Sequence, residues 1–96
     1  MKIIWSPLAV KRAVEIAEYI SSDNPTAARK WIETVFSEVE LLESSPKIGR
    51  IVPELNQKDF REIILGNYRI IYRVEKESVS IVTVRHAQQI LPVNEL

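Results

Sequence analysis

The chain has 96 residues, with 13 basic and 13 acidic side chains and a net charge of zero, a balance that argues against the tight, general nucleic-acid binding that rests on many phosphate contacts. It has no cysteine and a single histidine, His86, so a disulfide framework and a thiolate metal site are excluded and no cluster has metal-ligand spacing. There is no signal-peptide pattern and no apolar run near the roughly 20 residues that cross a bilayer; the expectation is one cytoplasmic domain spanning 1–96, with no membrane association, metal or cofactor.

Lys2 to Trp5 reads as a short strand. Ser6-Pro7 then offers a capping oxygen followed by proline at the first helical position, where a missing N–H costs nothing. At about 100° per residue, Leu8, Ala9, Val10, Ala13, Val14, Ile16, Ala17 and Ile20 fall in one sector. Lys11, Arg12, Glu15, Glu18 and Tyr19 fill the remainder, which predicts an amphipathic helix over about 7–21. Asp23 or Asn24 caps a second helix that opens at Pro25, and Ala28, Trp31, Ile32, Val35, Phe36, Val39 and Leu42 keep helical spacing until Ser44-Ser45-Pro46. With about three residues between them, the helices form an antiparallel hairpin. Trp31 and Phe36 read as core residues.

From Pro46 to Lys58 the chain lacks periodicity and carries Pro46, Gly49 and Pro53, so a connecting loop is expected. Asp59–Leu65, Tyr68–Glu75 and Val79–Arg85 read as three strands, joined by a strong turn at Gly66-Asn67 and a weaker one at Lys76-Glu77. The order predicts an α+β fold: an N-terminal strand, a helical hairpin and a three-stranded antiparallel meander, with the helices on one face of a single sheet.

Alternation puts Arg69 and Arg73 on one sheet face with Ile71, opposite Tyr68, Ile70, Tyr72 and Val74. Such a face needs anionic partners or solvent, because buried unpaired charge is costly. Glu62 and Glu75 are candidate partners within the chain. The place of Arg85 depends on register. A two-residue turn at Lys76-Glu77 pairs Glu75 with Ser78 and sets Arg85 opposite Tyr68, whereas a three-residue loop sets Arg85 opposite Arg69.

Ser6-Pro7 before the first helix, Pro46-Lys47-Ile48-Gly49-Arg50 after the second, and Arg61-Glu62-Ile63 followed by Tyr68-Arg69-Ile70-Ile71-Tyr72-Arg73-Val74 together resemble the RelE/ParE superfamily of type II toxin–antitoxin toxins, over nearly the whole length. The resemblance implies a cognate antitoxin, of the ribbon-helix-helix type, whose C-terminal segment wraps the helical hairpin and a sheet edge. It implies no direct DNA binding without that antitoxin. RelE-like members cut messenger RNA in the ribosomal A site, whereas ParE-like members inhibit DNA gyrase and are associated with plasmid stabilisation.

A metal-free RNase needs a base for the 2′-hydroxyl and cations on the phosphate. By this resemblance Arg61, Arg69, Arg85 and His86 are the candidates for those roles. Where some RNase members carry a His-Tyr pair after the last strand, this chain has Ala87 and Gln88, so the set is incomplete. The ParE-like reading therefore leads, with gyrase as the target and Lys47, Arg50, Arg61, Arg69, Arg73 and Arg85 as candidate partner-binding residues. The ribosome-dependent endoribonuclease is the alternative, and a non-toxic co-repressor acting with its antitoxin is a second. The segment Gln88–Leu96, moderately apolar, is expected to pack over the sheet or to lie under the antitoxin.

Overall fold

The structure is a computed structural model that describes residues 1–89 and 91–96. Its first strand, β1 (Lys2–Trp5), leads into Ser6, whose extended backbone and side-chain oxygen open α1 (Pro7–Asp23). The Ser6 hydroxyl accepts the Ala9 N–H at 3.0 Å and donates to the Val82 carbonyl at 2.9 Å, so one group caps the helix and ties it to the sheet. Asn24 alone separates α1 from α2 (Pro25–Glu40). Its N–H donates to the Ile20 carbonyl at 2.9 Å, and its side-chain oxygen accepts the Ala27 N–H at 3.0 Å. The expected three-residue connector thus contracts to one residue, because Asn24 satisfies orphan groups of both helix ends. A 3-10 turn, Leu41–Glu43, carries the chain off α2.

The stretch expected to be loop holds a further strand, β2 (Arg50–Ile51), which pairs Arg50 with Glu62 and Ile51 with Arg61 of β3 (Phe60–Leu65). Two residues are too short to show a period, so only the pairing reveals them. After the turn at Gly66, whose φ is +58°, come β4 (Tyr68–Val74) and β5 (Ser78–His86). The sheet order is β1-β5-β4-β3-β2, with β1 parallel to β5 and the other neighbours antiparallel. This is the α+β arrangement expected, enlarged by β2.

The helices cover one sheet face. There Ala9, Val35 and Val39 pack on Ile70, Tyr72 and Ile81, each fully buried aliphatic side chain contributing roughly 1.5–3 kcal/mol. On the other face, called open because no helix covers it, Val52, Ile71 and Leu91 form a smaller apolar cluster with Phe60, Val82 and Leu96 at its margin. Leu91 and the short 3-10 turn Val93–Glu95 therefore lie over the sheet, as expected for the C-terminal segment. Ile90, part of the same expectation, lies outside the described residues.

The β4–β5 register combines the two turn alternatives. The Glu75 N–H donates to the Ser78 carbonyl at 2.9 Å, as a two-residue turn requires. Tyr72 then faces Ile81 but Ile71 faces Thr83, so Val82 is an extra residue in β5. Val82 joins the open-face apolar cluster and Thr83 bonds Glu95 on that same side, so alternation restarts one residue later. The bulge sets Arg85 opposite Arg69 rather than Tyr68.

Candidate functional site

Arg69 stands on the open face in the middle of the sheet and is only 5 % exposed. Its two Nη atoms donate to the Glu54 carboxylate at 2.7 Å each, and Nε donates to Glu62 Oε1 at 2.7 Å. The second oxygen of Glu62, itself 1 % exposed, accepts from Arg50 Nε at 2.6 Å. The anionic partner that the sheet arginines require is supplied by the chain. Glu62 comes from the neighbouring strand and Glu54 from the loop after β2, a residue that spacing alone does not single out. Arg50, whose side chain is 60 % exposed, ties the outer end of the chain of charges to solvent.

The Arg69 hydrogen bonds hold the Glu54 carboxyl at about 2, against an ordinary value of 4.5, overcoming the opposing effect of burial. The same bonds raise Arg69, so it is charged at every relevant pH. Because the folded state lowers the Glu54 value, its contribution is fully present above about pH 4.5 and fades as pH falls toward about 2. Urea midpoints taken between about pH 5 and about pH 2.5 should fall in the wild type, and Glu54→Gln should show a flatter fall from a lower starting stability. An unchanged slope in Glu54→Gln would contradict this assignment.

Arg85, opposite Arg69, has its own carboxylate. Arg85 Nη1 donates to Glu95 Oε2 at 2.9 Å, and Arg12 Nη2 of α1 reaches the same oxygen at 3.2 Å. Arg73 is exposed and lies over the Phe60 ring, 5.5 Å from its centroid. Arg61 pairs in register with Tyr72 and so points to the helix-covered side, where its guanidinium donates to the carbonyls of Lys58, Lys47 and Gly49 at 3.2, 3.3 and 3.0 Å. Lys47 is an exposed loop residue. His86 is paired with Tyr68, its ring edge-on to that tyrosine at 5.4 Å, and its Nδ1 accepts the Gln88 N–H at 3.2 Å. The four residues of the RNase alternative are thus divided between two sheet faces: Arg69 and Arg85 on the open one, Arg61 and His86 on the other.

A second region lies outside these charges. Val10 and Val14 of α1 and Ile32 and Phe36 of α2 are 47, 49, 39 and 52 % exposed. Together with Trp5, whose ring packs on Phe36 at 5.5 Å, they line an open groove of about 940 Å³ along the outside of the hairpin. Ala13 and Ala17 of α1 also line it, and Glu18, Arg29 and Glu33 supply its charged lining. Phe36 is therefore a surface residue, not the core residue expected. The apolar sector of α1 is wider than the sheet can cover: Ala9 and Ile16 reach the core, and Val10 and Val14 do not. A lone exposed leucine or valine is ordinary, but a contiguous apolar groove is a candidate binding surface. The signal for it was the breadth of the apolar sector, read together with the Ile32–Phe36 pair at i, i+4.

Among the described residues no group of three or more histidines, cysteines or carboxylates could hold a metal ion, and no helix is long and apolar enough to cross a membrane.

Comparisons with known proteins agree with this arrangement. The family described as "ParE toxin of type II toxin-antitoxin system, parDE" matches residues 3–91. A protein of Sinorhizobium fredii (strain NBRC 101917 / NGR234), named "Putative toxin Y4kP", is 36 % identical over 93 residues, covering 95 % of this chain and 93 % of the relative. A solved chain from the "Chromosomal ParDE TA system from P. aeruginosa" shares the fold, with a TM-score of 0.75 at 19 % identity over 92 % of this chain and 97 % of the other. By a family match over nearly the whole sequence and a relative similar from end to end, the chain belongs to the ParE toxin family of type II toxin–antitoxin systems.

Proposed function

We propose that this ParE-type toxin inhibits DNA gyrase and that its cognate antitoxin, of the ribbon-helix-helix type, neutralises it by laying an apolar segment in the groove outside α1 and α2. The groove carries the reading. It offers large side chains at i, i+4 spacing on two helices, the pattern that receives an amphipathic segment. A segment ordered on binding can wrap such a surface, at the cost of its own ordering entropy. The sheet arginines support a target that is bound and not cleaved. Arg69 and Arg85 already face carboxylates of their own chain, and Arg61 and His86 are on the other side of the sheet. A base and cations that act on one phosphate have to converge on it.

A supercoiling assay with purified gyrase tests the proposal. The wild-type toxin should block supercoiling and the antitoxin should restore it. Phe36→Glu should still block supercoiling but resist the antitoxin, because a carboxylate placed in an apolar groove weakens binding by about 2 kcal/mol or more. Unaffected supercoiling at several-fold molar excess of wild-type toxin overturns the gyrase reading, and A-site cuts in translated messages by primer extension would replace it. Equal neutralisation of Phe36→Glu and wild type places the antitoxin elsewhere.

A further inference from the structure

Three donors from two elements converge on the Glu95 carboxylate. Arg12 comes from α1, and Thr83 and Arg85 come from β5, two residues apart and both beyond the extra residue Val82. Arg12 and Arg85 meet at one oxygen, and the Thr83 hydroxyl donates to the other at 3.1 Å. The site is enclosed without being sealed: the side chains of Arg12, Arg85 and Glu95 are 28, 19 and 14 % exposed. Glu95 is brought there by the short turn Val93–Glu95, held against the sheet by Leu91 and Leu96.

The carboxylate does not exhaust the donors around it. Arg12 Nε and Arg85 Nε are both buried and have no hydrogen-bond partner among the described residues. Buried donors are nearly always satisfied, so two orphans on the two arginines of one cluster call for an explanation. A carboxylate is planar and has two oxygens with one negative charge. A phosphate monoester, or phosphate itself, has at least three free oxygens in a tetrahedral array and about 1.5 to 2 negative charges near neutral pH. It matches the Arg85 guanidinium, the Nη2 side of Arg12 (whose Nη1 donates to Glu15 at 2.9 Å) and a hydroxyl better, because charge-assisted forks bind phosphate through several oxygens at once. A phosphodiester has only two free oxygens and one charge, so it gains little over the carboxylate already present.

We propose that Arg12, Thr83 and Arg85 form a binding site for a phosphate monoester group, and that the carboxylate of Glu95 occupies it as an internal surrogate which the ligand displaces. The site is separate from the helical groove and does not depend on the identity of the toxin's target. Displacement of Glu95 loosens the turn Val93–Glu95 from the open sheet face, and with it the cover over Ile71 and Val52. Arg69 takes no part, since both of its carboxylates are distinct from Glu95.

The test titrates inorganic phosphate into the full chain and follows the Nε–H resonances of Arg12 and Arg85 by NMR, with calorimetry for affinity. Glu95→Gln keeps the shape of the surrogate but removes its charge, and should bind inorganic phosphate about tenfold tighter than wild type or better, because the competing internal anion is weakened. Adding Arg85→Gln to that variant should abolish binding. Adenosine 5′-monophosphate should bind like inorganic phosphate, and a dinucleoside monophosphate, which offers only a diester, should bind at least about tenfold more weakly. Absence of saturable binding in folded Glu95→Gln, or binding that survives Arg85→Gln, overturns the site. Equal binding of the diester overturns the ligand class. If Glu95→Gln does not fold, the wild-type titration decides: saturable shifts at both arginine Nε–H groups support the site, and their absence removes it.

Discussion

Arg69→Met should lower folding stability by about 3–5 kcal/mol, the cost of leaving a buried charge without its partner. Glu62 is 1 % exposed and would keep only Arg50, whose side chain is mostly in water. Glu54 would lose a bidentate pair with both bonds at 2.7 Å. The effect is a penalty of isolation and not the net worth of the pair, so removing both ends should recover most of it. Arg69→Met with Glu62→Leu should return to within about 1–2 kcal/mol of wild type, since a buried ion pair replaced by apolar residues of similar volume is often neutral. Urea denaturation of the single variants and the double variant measures the coupling directly. An Arg69→Met variant within about 1 kcal/mol of wild type would show that Arg50 and solvent suffice to satisfy Glu62.

The same prediction guards the functional reading. Arg69 is the residue a sheet-face argument selects first, and Arg69→Ala in a growth assay should abolish toxicity. Loss of fold would produce that result as readily as loss of a target contact. The double variant separates the two: it lacks the guanidinium but keeps a packed sheet. Gyrase inhibition that returns with stability in the double variant assigns Arg69 a structural role. Inhibition that stays absent in a stable protein makes Arg69 a contact residue.

What could be read from the chain alone was what depends on neighbours in sequence. Ser6-Pro7 and Asn24-Pro25 announce helix starts by chemistry completed within one turn, and Gly66-Asn67 announces a hairpin whose geometry is local. Alternation correctly placed Arg69 opposite Tyr68 and Ile70. The parts that were not legible depend on distant or cooperative choices. Val82 is an extra residue that no pattern marks, yet it moves Arg85 from the Tyr68 position to the Arg69 position. Glu54 and Glu95 lie in loop and turn, where polar residues are ordinary, and only the fold brings them to Arg69 and to Arg85. The apolar sector of α1 grouped Val10 and Val14 with the residues that reach the core, and the spacing on α2 did the same for Phe36. Neither pattern could report that the sheet covers only part of each sector, which is why Phe36 was expected in the core and stands on the surface.

Gly49→Ala should be the most damaging substitution of a single small residue, costing about 3 kcal/mol or more, at the upper end of what overpacking does. A Cβ at Gly49 would meet the Glu62 carbonyl oxygen at 2.5 Å, the Tyr72 hydroxyl at 2.7 Å and Tyr72 Cε1 at 2.9 Å. Neither neighbour can withdraw. The Glu62 carbonyl belongs to β3 between its two partner strands, and Tyr72 is wholly buried beneath the helices. The Gly49 N–H also donates to the Tyr72 hydroxyl at 2.9 Å, and the Gly49 carbonyl receives Arg61, so a shift of this residue breaks both. Gly66 makes the contrast. Nothing lies within 4 Å of a Cβ there, so Gly66→Ala meets only the strain of φ at +58°, about 1–2 kcal/mol. Tyr72→Phe removes the hydroxyl but leaves the carbonyl clash, so it should rescue Gly49→Ala only in part. Complete rescue would place the conflict on the tyrosine alone. The damage would also reach the open face, because the close approach at Gly49 is what sets Arg50 beside Glu62, and Glu62 in turn holds Arg69. Thermal denaturation of Gly49→Ala, Gly66→Ala and Gly49→Ala with Tyr72→Phe should therefore rank them with Gly49→Ala lowest and Gly66→Ala nearest wild type.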